Sequence, residues 1–494
     1  MKTKFVPSKY QEAIYSFIQN GQGNAVVDAV AGSGKSTTIV HALNMIPEDQ
    51  TVLFLAFNKA IVEELKIKVA MQPNVEVMTL HSLGAKALMN TYNCKIQGDK
   101  YKAHLNEGIR LGQYKPLMDI DFEEVSEWKA NINKLIDLVR VNLCNSTEQF
   151  EDLAMKHDLN LIDNECHIAA QVVRWGYKQM DFIDFTDMIY FPVMKNVRMP
   201  QYDWVFVDEC QDLNAAQREL FLKCLKPGGR FVAVGDPRQA IYGFAGADVK
   251  SFNLLKSIPN TTQLPLSVCY RCDSSIINLA KTLVPQIEAK DGAESGTVDN
   301  DASIRNVEDG DMIICRVTAP LTKLCMNYIA NGVKAYIKGR DIGVNLINMV
   351  KRTRRNHVED AVKVFNKELL KIEKRVSEAL KCSPSEARES SQYTTYEDKV
   401  QAIMVLSEGL TTVRQLTDRI ESIFSENNKQ GICLSTIHKS KGLEANRVFI
   451  LCPDKLYNKM AMRVDWMAEQ ETNLVYVAYT RAKHYLGFIT DFEA

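Results

Sequence analysis

Ala29-Val30-Ala31-Gly32-Ser33-Gly34-Lys35-Ser36 sets a lysine and a hydroxyl directly after a glycine-rich stretch. The apolar run Ala25-Val26-Val27 precedes it, and a helical pattern from Ser36 to Leu43 follows. Few eight-residue segments restrict a fold so strongly. A strand must enter, a tight loop must turn with its N–H groups facing inward, and a helix must leave with its positive end toward the loop. The pattern is that of a phosphate-binding loop, with Ala29 in place of the first glycine. In such a loop Lys35 neutralises β- and γ-phosphate charge and the Ser36 hydroxyl takes Mg²⁺, while Ala31, Gly32, Ser33, Gly34 and Thr37 surround the phosphates.

The same alternation continues. Val52 to Phe57 reads as a strand and Lys59 to Val69 as a helix, which predicts a parallel, doubly wound sheet. From Lys86 to about Met180 the pattern is helical, with Val125, Trp128, Ile132, Leu135, Ile136 and Val139 at helical spacing and no convincing strand. Strand-like runs return at Trp204–Val207 and Phe231–Val234. A second sheet begins at Met312–Cys315 and Ala335–Ile337 and resumes at Ile432–Leu434 and Val448–Leu451. Between them the chain is charged and helical, with a polar gap from Ser383 to Thr395 that reads as a linker or mobile loop. The predicted fold is therefore α/β, two parallel-sheet lobes each with a mainly helical insertion. The boundaries fall at 1–86 and 181–256 for the first lobe, 87–180 for its insertion, 257–340 and 431–494 for the second lobe, and 341–430 for a short second insertion.

Composition narrows the class. With 494 residues, 46% hydrophobic and 24% charged, the chain is neither collagen-like nor disordered. No apolar run reaches the roughly 18 residues of a membrane span, and Met1–Pro7 is too polar for a signal peptide, so a cytoplasmic protein is expected. The 12 cysteines are scattered, and Cys269 and Cys272 lack the second pair of a zinc site. A net charge of −1 gives no global positive field, so any nucleic acid must be held by a local groove.

Val205-Phe206-Val207-Asp208-Glu209 supplies what the loop alone cannot. A buried strand ending in two carboxylates puts them at the edge where such sheets bind ligands. Asp208 would hold Mg²⁺ and Glu209 would orient and deprotonate an attacking water. An ATP-hydrolysing site is expected.

These segments belong to a longer ordered series. It includes Ala56-Phe57-Asn58-Lys59, Thr79-Leu80-His81-Ser82, Gly235-Asp236-Pro237-Arg238-Gln239-Ala240-Ile241-Tyr242-Gly243-Phe244, Tyr270-Arg271, Thr436-Ile437-His438-Lys439-Ser440-Lys441-Gly442-Leu443-Glu444 and Tyr476 to Ala482. The series resembles the superfamily 1 DNA helicases of the UvrD/Rep/PcrA type, especially the F-box DNA helicase branch and compact bacteriophage helicases. The resemblance runs from Gln11 to Arg481 and implies two RecA-like lobes. It implies that Gln11 reads the adenine edge, Tyr270 stacks on the base, and Glu444 accepts from the ribose. A surface helix glutamine is the plainer alternative for Gln11. Arg271 and Arg481 would reach the γ-phosphate as arginine fingers, and Gln239 would sense that phosphate. ATP would then hold two lobes shut, and hydrolysis would release them.

The resemblance also implies a groove for single-stranded DNA and strand junctions. Tyr242 and Phe244 would stack on bases, and Phe57, Asn58, Lys59, His81, Ser82, His438 and Lys441 would follow the strand. Three positions depart from the family pattern: Ala56, Leu80 and Ala245 stand where aromatic or arginine contacts are usual. The segment after Gln239 resembles the branch that moves 3′→5′. The implied activity is an ATP- and Mg²⁺-dependent DNA helicase or translocase in replication, recombination or repair. Two alternatives stay open: a translocase that strips bound proteins such as recombinase filaments or a single-strand binding protein, and a nucleotide-switched DNA-binding module. No nuclease domain is expected after Arg481 and no F-box before Gln11.

Overall fold

The computed structural model describes residues 6–116, 122–157, 159, 161, 163–241, 243, 250–424, 431–458, 461–463 and 465–492. It divides into two compact units, Met1–Val30 with Gly34–Ser267, and Ala31–Ser33 with Val268–Ala494.

In the first unit, α1 (Lys9–Asn20), β1 (Asn24–Ala29), α2 (Lys35–Leu43), β2 (Val52–Leu55), α3 (Lys59–Lys68), β3 (Val75–Met78) and α4 (Leu80–Tyr92) alternate. A helical excursion follows: β4 (Lys95–Ile96), α5 (Lys100–Arg110), α6 (Phe122–Val141), α7 (Thr147–Lys156), α8 (Asp163–Lys178) and β5 (Phe182–Ile183). The chain returns through α9 (Asp187–Met194), β6 (Tyr202–Val207), α10 (Ala215–Leu222), β7 (Leu225–Gly235), α11 (Ser251–Lys256) and β8 (Thr261–Leu266). The sheet order is β3-β2-β6-β7-β1-β8, and every pairing is parallel.

Strand alternation builds a core on each face. Val26, Leu53, Leu55, Val205, Val207, Phe231 and Ala233 pack on one side; Ala25, Val27, Phe54, Phe206, Val232 and Val234 pack on the other. Burial on both faces is why these central strands read as unbroken apolar runs. The edge strands β3 and β8 are only partly buried, so no apolar run announced them. Pro265 in β8 is tolerated because the strand pairs on one side only.

The excursion has its own core of Leu105, Trp128, Ile132, Leu135, Val139, Val172 and neighbours. Its expected lack of strands needs one correction. β4 and β5 form a two-residue parallel ladder, Lys95 opposite Phe182 and Ile96 opposite Ile183, too short for periodicity to reveal. Beside the ladder lies a buried ionic knot. Arg140 of α6 donates to Asp184 Oδ1 (2.8 Å) and Asp187 Oδ1 (2.9 Å), while Lys100 Nζ and the Tyr101 hydroxyl of α5 donate to Asp187 (2.8 and 2.7 Å). Buried charges persist only when paired and bonded in this way.

The second unit contains β9 (Val268–Cys269), α12 (Ser274–Ala280), β10 (Glu288–Ala289), β11 (Thr297–Asp299), β12 (Met312–Cys315), α13 (Ala319–Ala330) and β13 (Ala335–Lys338). Then come α14 (Arg340–Arg352), α15 (Val358–Leu380), α16 (Pro384–Arg388), α17 (Ser391–Ser407) and α18 (Val413–Ile423). It closes with β14 (Ile432–Thr436), α19 (Ile437–Ser440), β15 (Ala445–Leu451), α20 (Asp465–Tyr479) and β16 (Ala482–Ile489). Its sheet, β11-β16-β15-β12-β14-β13, is again wholly parallel. The molecule is thus an α/β protein with two RecA-like parallel sheets. Helices α14, α15, α17 and α18 share one apolar core with the second sheet, through Leu346, Phe365, Ile403, Leu416 and Phe424.

The linker expected at Ser383–Thr395 is instead helical. Ser383 and Glu386 form a reciprocal capping box with Pro384 in the first turn, and Ser390 Oγ accepts the Tyr393 N–H (3.2 Å). The serines that suggested a loop are helix caps. Ala387 and Tyr393 bury themselves against Ile372 and Val376 of α15. Among the described residues no helix is long and apolar enough to cross a membrane.

Candidate nucleotide site and nucleic-acid groove

Because the first sheet is parallel, the segments after β1, β2, β3, β6 and β7 all leave from its carboxyl rim. Five of the segments singled out by sequence therefore meet there: the phosphate loop, Phe57–Lys59, Thr79–Ser82, Asp208–Glu209 and Asp236–Gln239.

The loop turns through Gly32 (φ +66°) and Gly34 (φ +76°), left-handed conformations that glycine adopts without strain. Gly34 caps α2 with no side-chain bond, so the first N–H groups of that helix keep an open end. Ser33 Oγ is buried and has no hydrogen-bond partner among the described residues. A buried hydroxyl beside an uncapped helix start fits an anionic oxygen, and the residues present fit a nucleotide phosphate. Two loop groups are bonded within the second unit: the Ala31 N–H donates to the Tyr476 hydroxyl (2.9 Å), and the Gly32 carbonyl accepts from the Tyr270 N–H (2.9 Å).

Lys35 Nζ donates to Glu209 Oε1 at 2.6 Å. Burial works against the ammonium, but Glu209, Asp208 and Asp236 outweigh it and hold Lys35 above the ordinary lysine range. Burial and the neighbouring Glu209 push Asp208 up to about 6, with Lys35 pulling the other way. Glu209 stands at φ +52°, a conformation that costs a non-glycine residue about 1 kcal/mol or more. That turn aims its carboxylate back over the loop lysine. Ser36 and Asp208 offer the hard oxygen donors that Mg²⁺ takes.

Residues beyond the expected set join this network. Gln211 donates to Glu209 Oε2 (2.6 Å), and its carbonyl accepts the Asp236 N–H (3.0 Å). Asp236 Oδ2 in turn accepts from Gln239 Nε2 (2.9 Å). Asp236 lies inside the Gly235–Phe244 motif and Gln211 two residues past Glu209, but only the folded chain links them, across a separation of 25 residues.

Gln11 is buried, not on a surface face. Its carbonyl accepts the Ser8 N–H (2.9 Å) in a capping box, and Nε2 donates to Thr38 Oγ1 (2.9 Å) on the helix that leaves the phosphate loop.

In the second unit Arg271 donates to Glu444 Oε2 (2.6 Å) and to the Thr480 carbonyl (3.1 Å). Lys483 pairs with the other Glu444 oxygen at 2.7 Å. Burial pushes the Glu444 carboxyl up, but Lys483 and Arg271 together hold it below its ordinary value. Arg481 is buried at 1% exposure, donating to the carbonyls of Val477 (2.8 Å) and Leu443 (3.0 Å) and to Thr480 Oγ1 (3.2 Å). Tyr270 is 39% exposed.

The residues expected to follow a strand share one kind of local placement within their own units. Asn58 caps α3 through Ile61, and Thr79 caps α4 through Ser82, so Lys59, His81 and Ser82 occupy first helical turns. Helix starts suit phosphates. Phe57 is exposed beside them. In the second unit Thr436 caps α19, which carries His438, and Lys441 follows that helix. Burial, with Arg316 and Lys439 nearby, pushes His438 down to about 3, and burial lowers His81 too. Both are therefore neutral donors or acceptors near pH 7, not cations. Tyr242 and Phe244 lie outside the described residues. Phe185, 64% exposed and next to the ionic knot, is an aromatic the sequence reading passed over.

Residues 10–259 match the UvrD/REP helicase N-terminal domain, and residues 340–492 match the UvrD-like helicase C-terminal domain. The chain is 23% identical to F-box DNA helicase protein 1 of Schizosaccharomyces pombe, over 92% of this chain and 54% of that protein. It is 26% identical to the ATP-dependent DNA helicase Rep of Buchnera aphidicola subsp. Acyrthosiphon pisum, over 53% and 43%. With the ATP-dependent DNA helicase PcrA of Leuconostoc citreum the identity is 22%, over 54% and 38%. The chain spans about half or less of the length of these relatives. Half of the sequence matches one helicase domain and most of the remainder matches its partner domain in the same order, so the chain belongs to the UvrD/Rep helicase family.

Proposed function

We propose that this chain is an ATP-dependent DNA helicase or translocase that moves 3′→5′ along single-stranded DNA. The observation that carries the reading is the rim of the first sheet, where the Lys35–Glu209 pair, Asp208 and Gln239 surround a loop whose buried Ser33 hydroxyl has no partner among the described residues.

In this reading Lys35 and the loop N–H groups hold the β- and γ-phosphates, and Ser36 and Asp208 hold Mg²⁺. The ion would neutralise developing phosphate charge. Glu209 takes the proton of the attacking water, with Gln211 fixing its orientation. Gln239 senses the γ-phosphate, and Gln11 and Tyr270 take the base. Glu444 orients Arg271 by its 2.6 Å ion pair, and Arg271 and Arg481 stabilise the transferring phosphoryl group. Phe57, Asn58, Lys59, His81, Ser82, Tyr242, Phe244, His438 and Lys441 follow the strand. The UvrD/Rep family matches support this assignment, as does the 3′→5′-type segment after Gln239.

The test is the ATPase rate with no nucleic acid, single-stranded DNA, duplex DNA and RNA, followed by displacement on duplexes bearing a 3′ or a 5′ tail. Stimulation by single-stranded DNA with displacement only from 3′ tails is expected. Displacement from 5′ tails overturns the polarity, and removal of bound protein without strand separation makes this a stripping translocase. Absence of stimulated hydrolysis removes the motor.

A further inference from the structure

Arg238 stands one residue before Gln239, and its guanidinium donates to two acceptors and lies against a third group, the Asp236 carboxylate. Nη1 donates to Asp28 Oδ1 (2.6 Å), Nη2 to the Ala29 carbonyl (2.8 Å), and Nε lies 3.0 Å from Asp236 Oδ1. Ala29 is the first residue of the phosphate loop, and Asp28 is the one charged residue of β1, a strand otherwise of Asn, Ala and Val. Asp28 Oδ2 also accepts from Gln263 Nε2 (3.1 Å) on β8. The Asp236 carboxylate that receives Gln239 Nε2 also accepts the Arg238 N–H (3.1 Å). β1 and β7 are direct neighbours in register, Asp28 opposite Gly235. One fork thus joins the sensor turn after β7 to the loop-bearing end of β1.

We propose that Arg238 is a positioning residue that holds Gln239 in register with the phosphate loop through Asp28 and Ala29. The assignment rests on the ATPase reading above and adds to it a determinant of turnover outside the groups that touch nucleotide. The Arg238 and Asp28 side chains are about one-fifth exposed, and a purely structural pair would shift the melting midpoint while leaving kcat of the folded variant unchanged. Displacing a γ-phosphate contact by about 1 Å can cost about a hundredfold in rate. The two roles therefore predict different experiments.

The full chain is compared with Arg238→Ala, Arg238→Lys, Asp28→Asn and the double variant Asp28→Asn/Arg238→Ala. The readouts are kcat and KM for MgATP with saturating oligo-dT, affinity for a fluorescent non-hydrolysable ATP analogue, and the melting midpoint. For Arg238→Ala kcat should fall about 10- to 100-fold, with KM and analogue affinity within about threefold. Arg238→Lys should recover only part of the loss, since an ammonium cannot span a carboxylate and a carbonyl as a planar fork. Asp28→Asn should fall in the same direction, and the double variant should be no slower than Arg238→Ala. A kcat within twofold of wild type in folded Arg238→Ala overturns the proposal. So do losses that multiply in the double variant, or a KM that rises in step with the fall in kcat. If Arg238→Ala does not fold, Asp28→Asn, isosteric and still able to accept from Gln263, decides alone: unchanged kcat overturns it. Wild-type chain without hydrolysis removes the ATPase reading and this assignment together, whereas active wild type with unaffected variants removes only the assignment.

Discussion

The Lys35 ammonium and the Glu209 carboxylate face each other at 2.6 Å, one in the first turn of α2 and the other just past β6. The lysine that should meet the β- and γ-phosphates is therefore held by the carboxylate that should activate water. In the proposed reading a triphosphate would compete for that ammonium, and its arrival would free Glu209 to act as a base.

Glu209→Gln should accordingly lower turnover about 10²- to 10⁴-fold while nucleotide binding is kept or tightened, since Lys35 loses its competitor. Lys35→Ala should weaken binding itself. Single-turnover hydrolysis alongside analogue binding separates the two effects, and a Glu209→Gln variant that turns over normally would assign the base elsewhere.

Arg271→Ala should reduce kcat about 10³-fold or more with nucleotide affinity largely retained. Arg481 needs a gentler change. Truncating it strips donors from two carbonyls and a hydroxyl in a buried setting, which costs about 1–3 kcal/mol for each group left unmet. Arg481→Lys, with folding checked by melting, is the informative variant, and normal kcat in both Arg271→Ala and Arg481→Lys would contradict the finger assignment.

Arg140→Ala should destabilise the first unit by about 3–5 kcal/mol, because Asp184 and Asp187 would be left buried without their guanidinium. Denaturant unfolding followed through Trp128 and Trp175 fluorescence checks this. A loss under 1 kcal/mol would mean that water reaches the knot.

His438 gives a pH dependence with a definite sign. Its folded value is near 3 against an ordinary 6.5, so between those limits the unfolded chain binds the extra proton. Its contribution to stability is complete above about pH 6.5 and is lost as the pH falls, by up to about 1.4 kcal/mol per unit. His438→Gln should therefore flatten the fall in the denaturation midpoint of the second unit between pH 6.5 and 5. An unchanged slope would show that the imidazole takes up its proton in the folded state.

What could be read in advance follows from where each residue sits. β1, β2, β6 and β7 were legible because both their faces are buried, whereas β3 and β8 sit at sheet edges and β16 opens with the polar Lys483-His484, so no apolar run marks them. Ser383 and Ser390 misled because a helix cap and a loop use the same residues. Lys35 and Asp208 could be named from local spacing, and Gln239 from the family resemblance. Gln211 and Arg238 could not be given roles, because their partners at Asp236, Asp28 and Ala29 are supplied by sheet neighbours far away in sequence.

The parallel first sheet also separates reactivity from tolerance. Since the chemistry-bearing turns leave from one rim, the exposed Pro227-Gly228 bend at the beginning of β7 lies beyond the far ends of the same strands. Within this unit a reporter dye or an inserted peptide belongs there, where it can follow the protein without touching the residues it is meant to observe.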